Sequence, residues 1–193
     1  MINALYEMFP ETVSADGKEY PIVTDFREWI RFADMMGDKE LSSEEKILLL
    51  ADWFLKPPDY ITQELVQAVF DFYKAKNLNP EPDYEDDEEP PDETPVRPPV
   101  FDWNIDSKYI IGDFRRYYGI DLLSEEYMHW WKFRCLFSAL PDDSQCQKRI
   151  AYRSTDINQI KNEAERHRIM RIKQEIAIPF EYDEGMIGSA FGI

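Results

Sequence analysis

Between Asn77 and Pro99 the chain carries seven prolines, and nine carboxylates crowd residues 81–95 with no lysine or arginine among them. Proline removes backbone donors and like charges repel, so this stretch has little to bury and reads as a disordered or extended tether. Whatever folds must be assembled from the residues on either side of it. The expected organisation is an N-terminal hairpin plus helices over residues 1–76 and an acidic, Pro-rich linker over 77–100. A helical part over 101–178 follows, packed with the N-terminal part as one domain, and residues 179–193 form a loosely ordered tail.

The flanks give a mainly α fold with one short β-hairpin. Asp16-Gly17 suits a tight turn with positive φ, and Val13, Tyr20, Ile22 and Val23 supply strand-type residues around it. Thr24-Asp25 with Glu28 predicts a capped helix whose inner face is Phe26, Trp29, Ile30 and Ala33, ending at Gly37. Ser42 with Glu45 predicts a second, with Ile47, Leu50, Ala51, Phe54 and Leu55 facing inward until Pro57-Pro58. A third covers Ile61 to Ala75. Beyond the tether, a helix from Ser107 to Tyr118 closes at Gly119.

The segment His129-Trp130-Trp131-Lys132-Phe133 lies at the centre of the second flank. Trp130, Phe133, Phe137 and Leu140 fall on one helical stripe and Met128, Trp131 and Cys135 on a second, so this helix should be enclosed by others. Ser124 is expected to open it, with Glu125 and Glu126 in its first turn. A short helix over Gln145 to Arg153 follows. Asp156 is expected to cap a longer charged helix reaching about Ala177, whose apolar positions drift around the axis and suit packing by two faces.

Little in the sequence suggests chemistry. His129 and His167 are the only histidines, and Cys135 and Cys146 the only cysteines. Glu125 and His129 would share a helix face, but no ligand set for zinc joins them. Cys135 reads as a small buried hydrophobe and Cys146 as part of a polar stretch. Nucleophile elbows, phosphate-cradling loops and nucleotide fingerprints are absent, so the expectation is a protein that is not an enzyme and uses no cofactor or metal. Formal charge is −17, which disfavours contact with nucleic acid or an anionic membrane surface and favours basic protein partners. The cations of the C-terminal quarter, Arg149, Arg153, Lys161, Arg166, Arg168, Arg171 and Lys173, interleave with acids as a solvated helix face does. No basic region precedes an apolar core at the N-terminus, and the most apolar run, Ile47 to Leu55, is too short to span a bilayer.

The order of motifs resembles the tail assembly chaperone family of siphophages of Gram-positive bacteria, the bacteriophage "Gp-fifteen" type of tail protein. The residues that carry it are DGKEYPIVTDFREWIRF from Asp16, EEKILLLADWFLKPP from Glu44, AVFDFYK from Ala68, FDWNIDSKYIIGDFRRYYGIDLL from Phe101, MHWWKFRCLFSALPDDS from Met128 and IAYRSTDI from Ile150. His129, Trp130, Trp131, Lys132 and Phe133, with Tyr152, Arg153 and Asp156 downstream, form the family-signature core. The resemblance implies a non-enzymatic role in the host cytoplasm, absent from the mature virion. Such proteins are thought to bind the phage tape measure protein and keep it soluble while tail tube subunits assemble around it. A longer form made by frameshifting can recruit the tail tube protein, and self-association is a corollary. It supplies no catalytic residues and no defined partner-binding set. The alternatives are a structural tail or connector component of the virion and an acidic nucleic-acid mimic; the second fits poorly, because its charge sits on a proline-rich tether.

Overall fold

Asp16 and Gly17 adopt φ of 51° and 70°, and this pair of left-handed residues turns the chain tightly between two strands. The hairpin is β1 (Thr12–Ala15) against β2 (Lys18–Pro21), antiparallel, with Ala15 opposite Lys18 and Thr12 opposite Pro21. The structure is a computed structural model that describes residues 3–76, 78 and 98–180. Most of the linker (79–97) and of the C-terminal tail (181–193) expected from the sequence therefore lies outside the described residues. Those described are mostly helical, with this one short hairpin. They divide into two compact units, Met1–Asp83 with Glu125–Ser138, and Tyr84–Ser124 with Ala139–Ile193.

The first unit is built on the hairpin. Past β2 the chain pairs once more: Val23 N–H donates to the Trp53 carbonyl at 2.9 Å and Leu55 N–H to the Pro21 carbonyl at 3.0 Å. Helix α1 (Phe26–Gly37) is capped by Asp25, whose side chain accepts from Arg27 N–H. Glu28 does not close the expected capping box; it pairs with Arg31 on the next turn. The inner face is Phe26, Trp29 and Phe32, while Ile30 and Ala33 are only half-buried. Helix α2 (Ser43–Leu49) does begin with the Ser42–Glu45 box. Its apolar stripe is not the expected one. The α-helix gives way to a 3-10 turn at Leu50–Trp53, which rotates Leu50 and Trp53 inward, with Phe54 buried beside them. Ile47 and Leu55 are left 44% and 64% exposed. Helix α3 (Gln63–Lys74) is capped by Thr62, buries Leu65, Val69 and Phe72, and ends at Ala75 in the left-handed conformation, φ 54°.

The tryptophan helix, α5 (Trp130–Ser138), completes this unit. It starts six residues later than the Ser124 expected from the sequence. Met128 and His129 are instead held extended against the start of α1: Phe26 N–H donates to the Met128 carbonyl at 2.9 Å and Trp130 N–H to the Thr24 carbonyl at 2.7 Å. Phe26 stacks on Phe133 at 4.6 Å between ring centroids, Tyr73 on Trp130 at 5.5 Å, and Trp29 tilts against Phe72 at 4.7 Å. Offset contacts of this kind add to the area such rings bury.

The second unit contains α4 (Ser107–Asp113), which widens into a π-helical turn at Phe114–Tyr118 and stops at Gly119, φ 70°. Helix α6 (Gln145–Ser154) opens on Ser144. A buried carboxylate from α4, Asp113, accepts from the N–H groups of Gln145 (3.2 Å) and Cys146 (2.8 Å) at that same helix start. This seats Cys146 in the core, against its expected place in a polar stretch, whereas Cys135 is only half-buried. Asp156 caps only a 3-10 turn, Ile157–Gln159. The long charged helix, α7 (Glu163–Glu175), begins later on its own cap, Asn162, whose side chain takes the Glu165 N–H. No residue of α7 is buried.

Candidate functional site

The signature residues have clear structural tasks. His129 ends the extended stretch and starts α5. Its Nδ1 accepts the Trp131 backbone N–H at 3.0 Å, and its Nε2 lies 3.0 Å from the Pro10 carbonyl. A backbone N–H can only donate and a carbonyl can only accept, so the ring is the neutral Nε2–H tautomer. Burial pushes its pKa below the ordinary value, with the Pro10 carbonyl and Glu11 pulling the other way. Phe9 stacks on the ring at 5.1 Å. Glu125, expected one turn away on the same helix, precedes α5, and its backbone carbonyl accepts from Arg27 Nη2. Every imidazole nitrogen is thus committed to the chain itself. Among the described residues no group of three His, Cys, Asp or Glu could hold a metal ion.

Trp130 and Trp131 are fully buried, and their indole N–H groups are as important as their rings. The last carbonyls of an α-helix have no partner within it. Trp131 Nε1–H donates to the Phe72 carbonyl at 2.8 Å, and Trp130 Nε1–H to the next one, Tyr73, at 2.9 Å. Arg134 adds a donor to Tyr73 at 2.8 Å, a cation at the negative end of the helix dipole. Adjacent indoles therefore read adjacent carbonyls at the C-terminus of α3. Phe133 is buried behind them, and Lys132 points to solvent. Trp29 and Trp53 follow the same habit, donating to the Val23 carbonyl at 2.8 Å and the Glu28 carbonyl at 2.9 Å.

The remaining signature residues belong to the second unit. Arg153 forms a buried, two-pronged ion pair with Asp106: Nη1 to Oδ2 at 2.6 Å and Nη2 to Oδ1 at 2.9 Å. Its Nε–H and Nη1–H also reach the Ile176 and Val100 carbonyls, at 2.8 and 3.2 Å. One guanidinium thus ties α6 to the chain before α4 and to the chain after α7. Tyr152 is half-buried, and the Asp156 carboxylate is spent on the Asn158 N–H at 2.9 Å. Within the signature, His129, Trp130 and Trp131 act as staples in the first unit and Arg153 in the second. Sequence reasoning found Asp25 as a helix cap but missed its second bond, from the Met128 N–H, and missed Asp106, Asp113 and Arg134, each with a partner 32 or more residues away.

Surfaces that could meet another molecule are of two kinds. In the first unit Leu48 and Tyr60, 73% and 71% exposed, lie outside the core together with Ile47 and Leu55. In the second, Arg166 and Arg171 are exposed on α7, beside the ion pair Arg168–Glu165 and the His167–Glu163 contact. No helix among the described residues is long and apolar enough to cross a membrane.

Comparison with known proteins gives one clear relation. No curated protein and no solved structure matches the chain. Residues 5–178 match the family described as Bacteriophage Gp15 protein. That span takes in the hairpin, all seven described α-helices and every signature residue, and the chain accordingly belongs to the bacteriophage Gp15 protein family, whose membership supports a general role in phage tail assembly.

Proposed function

We propose that this protein is a tail assembly chaperone that binds the phage tape measure protein and keeps it soluble until tail tube subunits surround it. The observation that carries the reading is the family match over residues 5–178. The signature residues support it indirectly. Each ring nitrogen of His129, Trp130 and Trp131 and each prong of Arg153 is occupied within the chain, which favours a scaffold that presents surfaces over a site that turns over a substrate. Exposed apolar side chains such as Leu48, Leu55 and Tyr60 suit transient coverage of an amphipathic helix. Coating a long partner requires many copies, so self-association belongs to the proposal, as does a non-enzymatic role in the host cytoplasm. A longer frameshifted form would then bring in the tail tube protein.

Co-expression tests the reading. The tape measure protein should gain soluble yield and co-purify with this chain; unchanged solubility without co-purification would refute it. Mass spectrometry of purified virions separates a chaperone, which should be missing, from a structural tail or connector component, which should be present.

A further inference from the structure

The outer edge of β1 is an unpaired template. Residues of an antiparallel pair alternate between hydrogen-bonded and non-bonded positions. Ile22 N–H donates to the Glu11 carbonyl at 3.0 Å, so with the observed register the bonded pairs are Glu11–Ile22, Val13–Tyr20 and Ala15–Lys18. The N–H and C=O groups of Thr12 and Ser14 consequently point away from β2. No backbone group among the described residues pairs with them. Edge strands are usually protected by short length, a covering helix, a charge, a proline or a bulge; Thr12–Ala15 is four residues long and packs on α3, but carries no charge, proline or bulge.

That edge opens on a cleft. A cavity of about 380 Å³ lies between β1 and α3, with Pro10, Phe72 and Trp131 in its wall. It shares Ser14, Ala68 and Asp71 with a second one of about 590 Å³ that runs along α3. Thr62 Oγ1–H donates to the Asp16 carboxylate at 2.7 Å and pins the hairpin turn to the start of α3. The charged side chains lining the two cavities are Glu19, Glu64 and Asp71, with no lysine or arginine among them. Lys76 lies 3.8 Å from Asp71 and offsets that one charge in part. Thr12 Oγ1–H donates to Glu19 at 2.5 Å and Ser14 Oγ–H donates to its other oxygen. These two bonds, the one from Ser14 foremost, hold the Glu19 carboxyl below the usual range, which favours its charged form.

We infer that β1 accepts a third strand here: an extended segment of a separate protein, with lysine or arginine at alternate positions, paired to Thr12 and Ser14 and directing its cations at Glu19, Glu64 and Asp71. Main-chain bonds to a sheet edge give such binding its affinity, and alternate side chains give it specificity. A helix cannot use this edge, because its own backbone groups are already paired. Residues 81–95 of a second copy carry the wrong sign of charge. The inference goes beyond the chaperone reading and does not depend on who the partner is.

The test uses the full chain and a fluorescent peptide of alternating lysine and threonine. Its anisotropy should rise on titration, and a glutamate–threonine peptide should not bind. Hydrogen exchange at the Thr12 and Ser14 amides should slow by at least about tenfold in the complex. The double variant Glu19→Gln/Glu64→Lys should weaken binding about tenfold without altering the far-ultraviolet circular dichroism. Failure of the lysine peptide to bind, equal binding by a helical lysine–alanine peptide, or binding without protection of those two amides would each overturn the inference. Tape measure solubilisation is read separately, so either idea can fail while the other stands.

Discussion

Replacing Arg153 by methionine removes one partner of a pair that is almost wholly shielded, with side-chain exposures of 4% for Arg153 and 1% for Asp106. The guanidinium leaves and a carboxylate stays behind in the core, retaining only a 3.2 Å bond from the Asp102 N–H. Breaking a buried pair in this way costs about 3–5 kcal/mol, mainly through the stranded charge. The Ile176 and Val100 carbonyls lose their donors too, but Ile176 is half-buried and Val100 exposed, so water can replace the guanidinium there. Adding Asp106→Asn removes the stranded charge while keeping an acceptor for the Asp102 N–H. The double variant should therefore be more stable than Arg153→Met alone, by roughly half of that cost or more. Hydrogen exchange by mass spectrometry reads this out within the unit that contains α4 and α6. Protection of both helices should fall by about a hundredfold or more in the single variant and recover in the double. If Arg153→Met behaves like the exposed control Arg171→Met, within about 0.5 kcal/mol of the parent, or if the second substitution adds to the loss, the ion pair does not tie these elements together.

Other substitutions probe the remaining features. Trp131→Ala should destabilise the first unit by about 3–5 kcal/mol. Trp131→Phe should cost only about 1 kcal/mol, because the Phe72 carbonyl keeps the Ala75 N–H at 3.0 Å; urea denaturation followed by tryptophan fluorescence compares the two. The pKa of His129 is lowered by burial in the folded state, so above the ordinary value of 6.5 neither state is protonated there and stability is flat. Below it the unfolded chain binds the proton first, and stability falls by up to ~1.4 kcal/mol per pH unit until the folded ring protonates as well. An imidazole resonance titrating at or above 6.5 in the folded protein would contradict this. Gly112 lies inside α4 with nothing within 4 Å of the place an alanine methyl would take, and Gly112→Ala should raise stability by about 0.5–1 kcal/mol. Gly119→Ala, equally uncrowded but at φ 70°, should lower it by about 1 kcal/mol; thermal unfolding of the pair separates backbone conformation from packing.

Features set by neighbours in sequence were legible in the residues themselves. Asp16-Gly17 turns the hairpin, Ser42 and Glu45 close their box, and Gly119 ends its helix, because each depends on a few adjacent residues. Misplaced features depend on distant partners. His129 is a helix start because Asp25 and Phe26, more than a hundred positions earlier, hold Met128 extended before it. Ile47 and Leu55 match a buried stripe in their spacing, yet the 3-10 turn after Leu49 rotates them out. Asp156 has the side chain of a cap and serves as one, but Asn162 takes the longer helix from it. Of the signature, the apolar demand of Trp130 and Trp131 could be read from their periodicity. The carbonyls that their indoles would find could not, since those belong to a helix on the other side of the tether.

The chain leaves the first unit after α3 and re-enters it only for residues 125–138. On a ribosome adding roughly 5–20 residues per second, the segment from Ala75 to Ser138 takes on the order of 3–12 s to appear. For that interval the nascent hairpin, α1 and α3 have no α5 to cover Phe26, Phe72 and Tyr73. The first unit is thus completed only after part of the second has already been translated. A polypeptide released before residue 138 would expose this aromatic surface permanently, and so be a ready substrate for proteases.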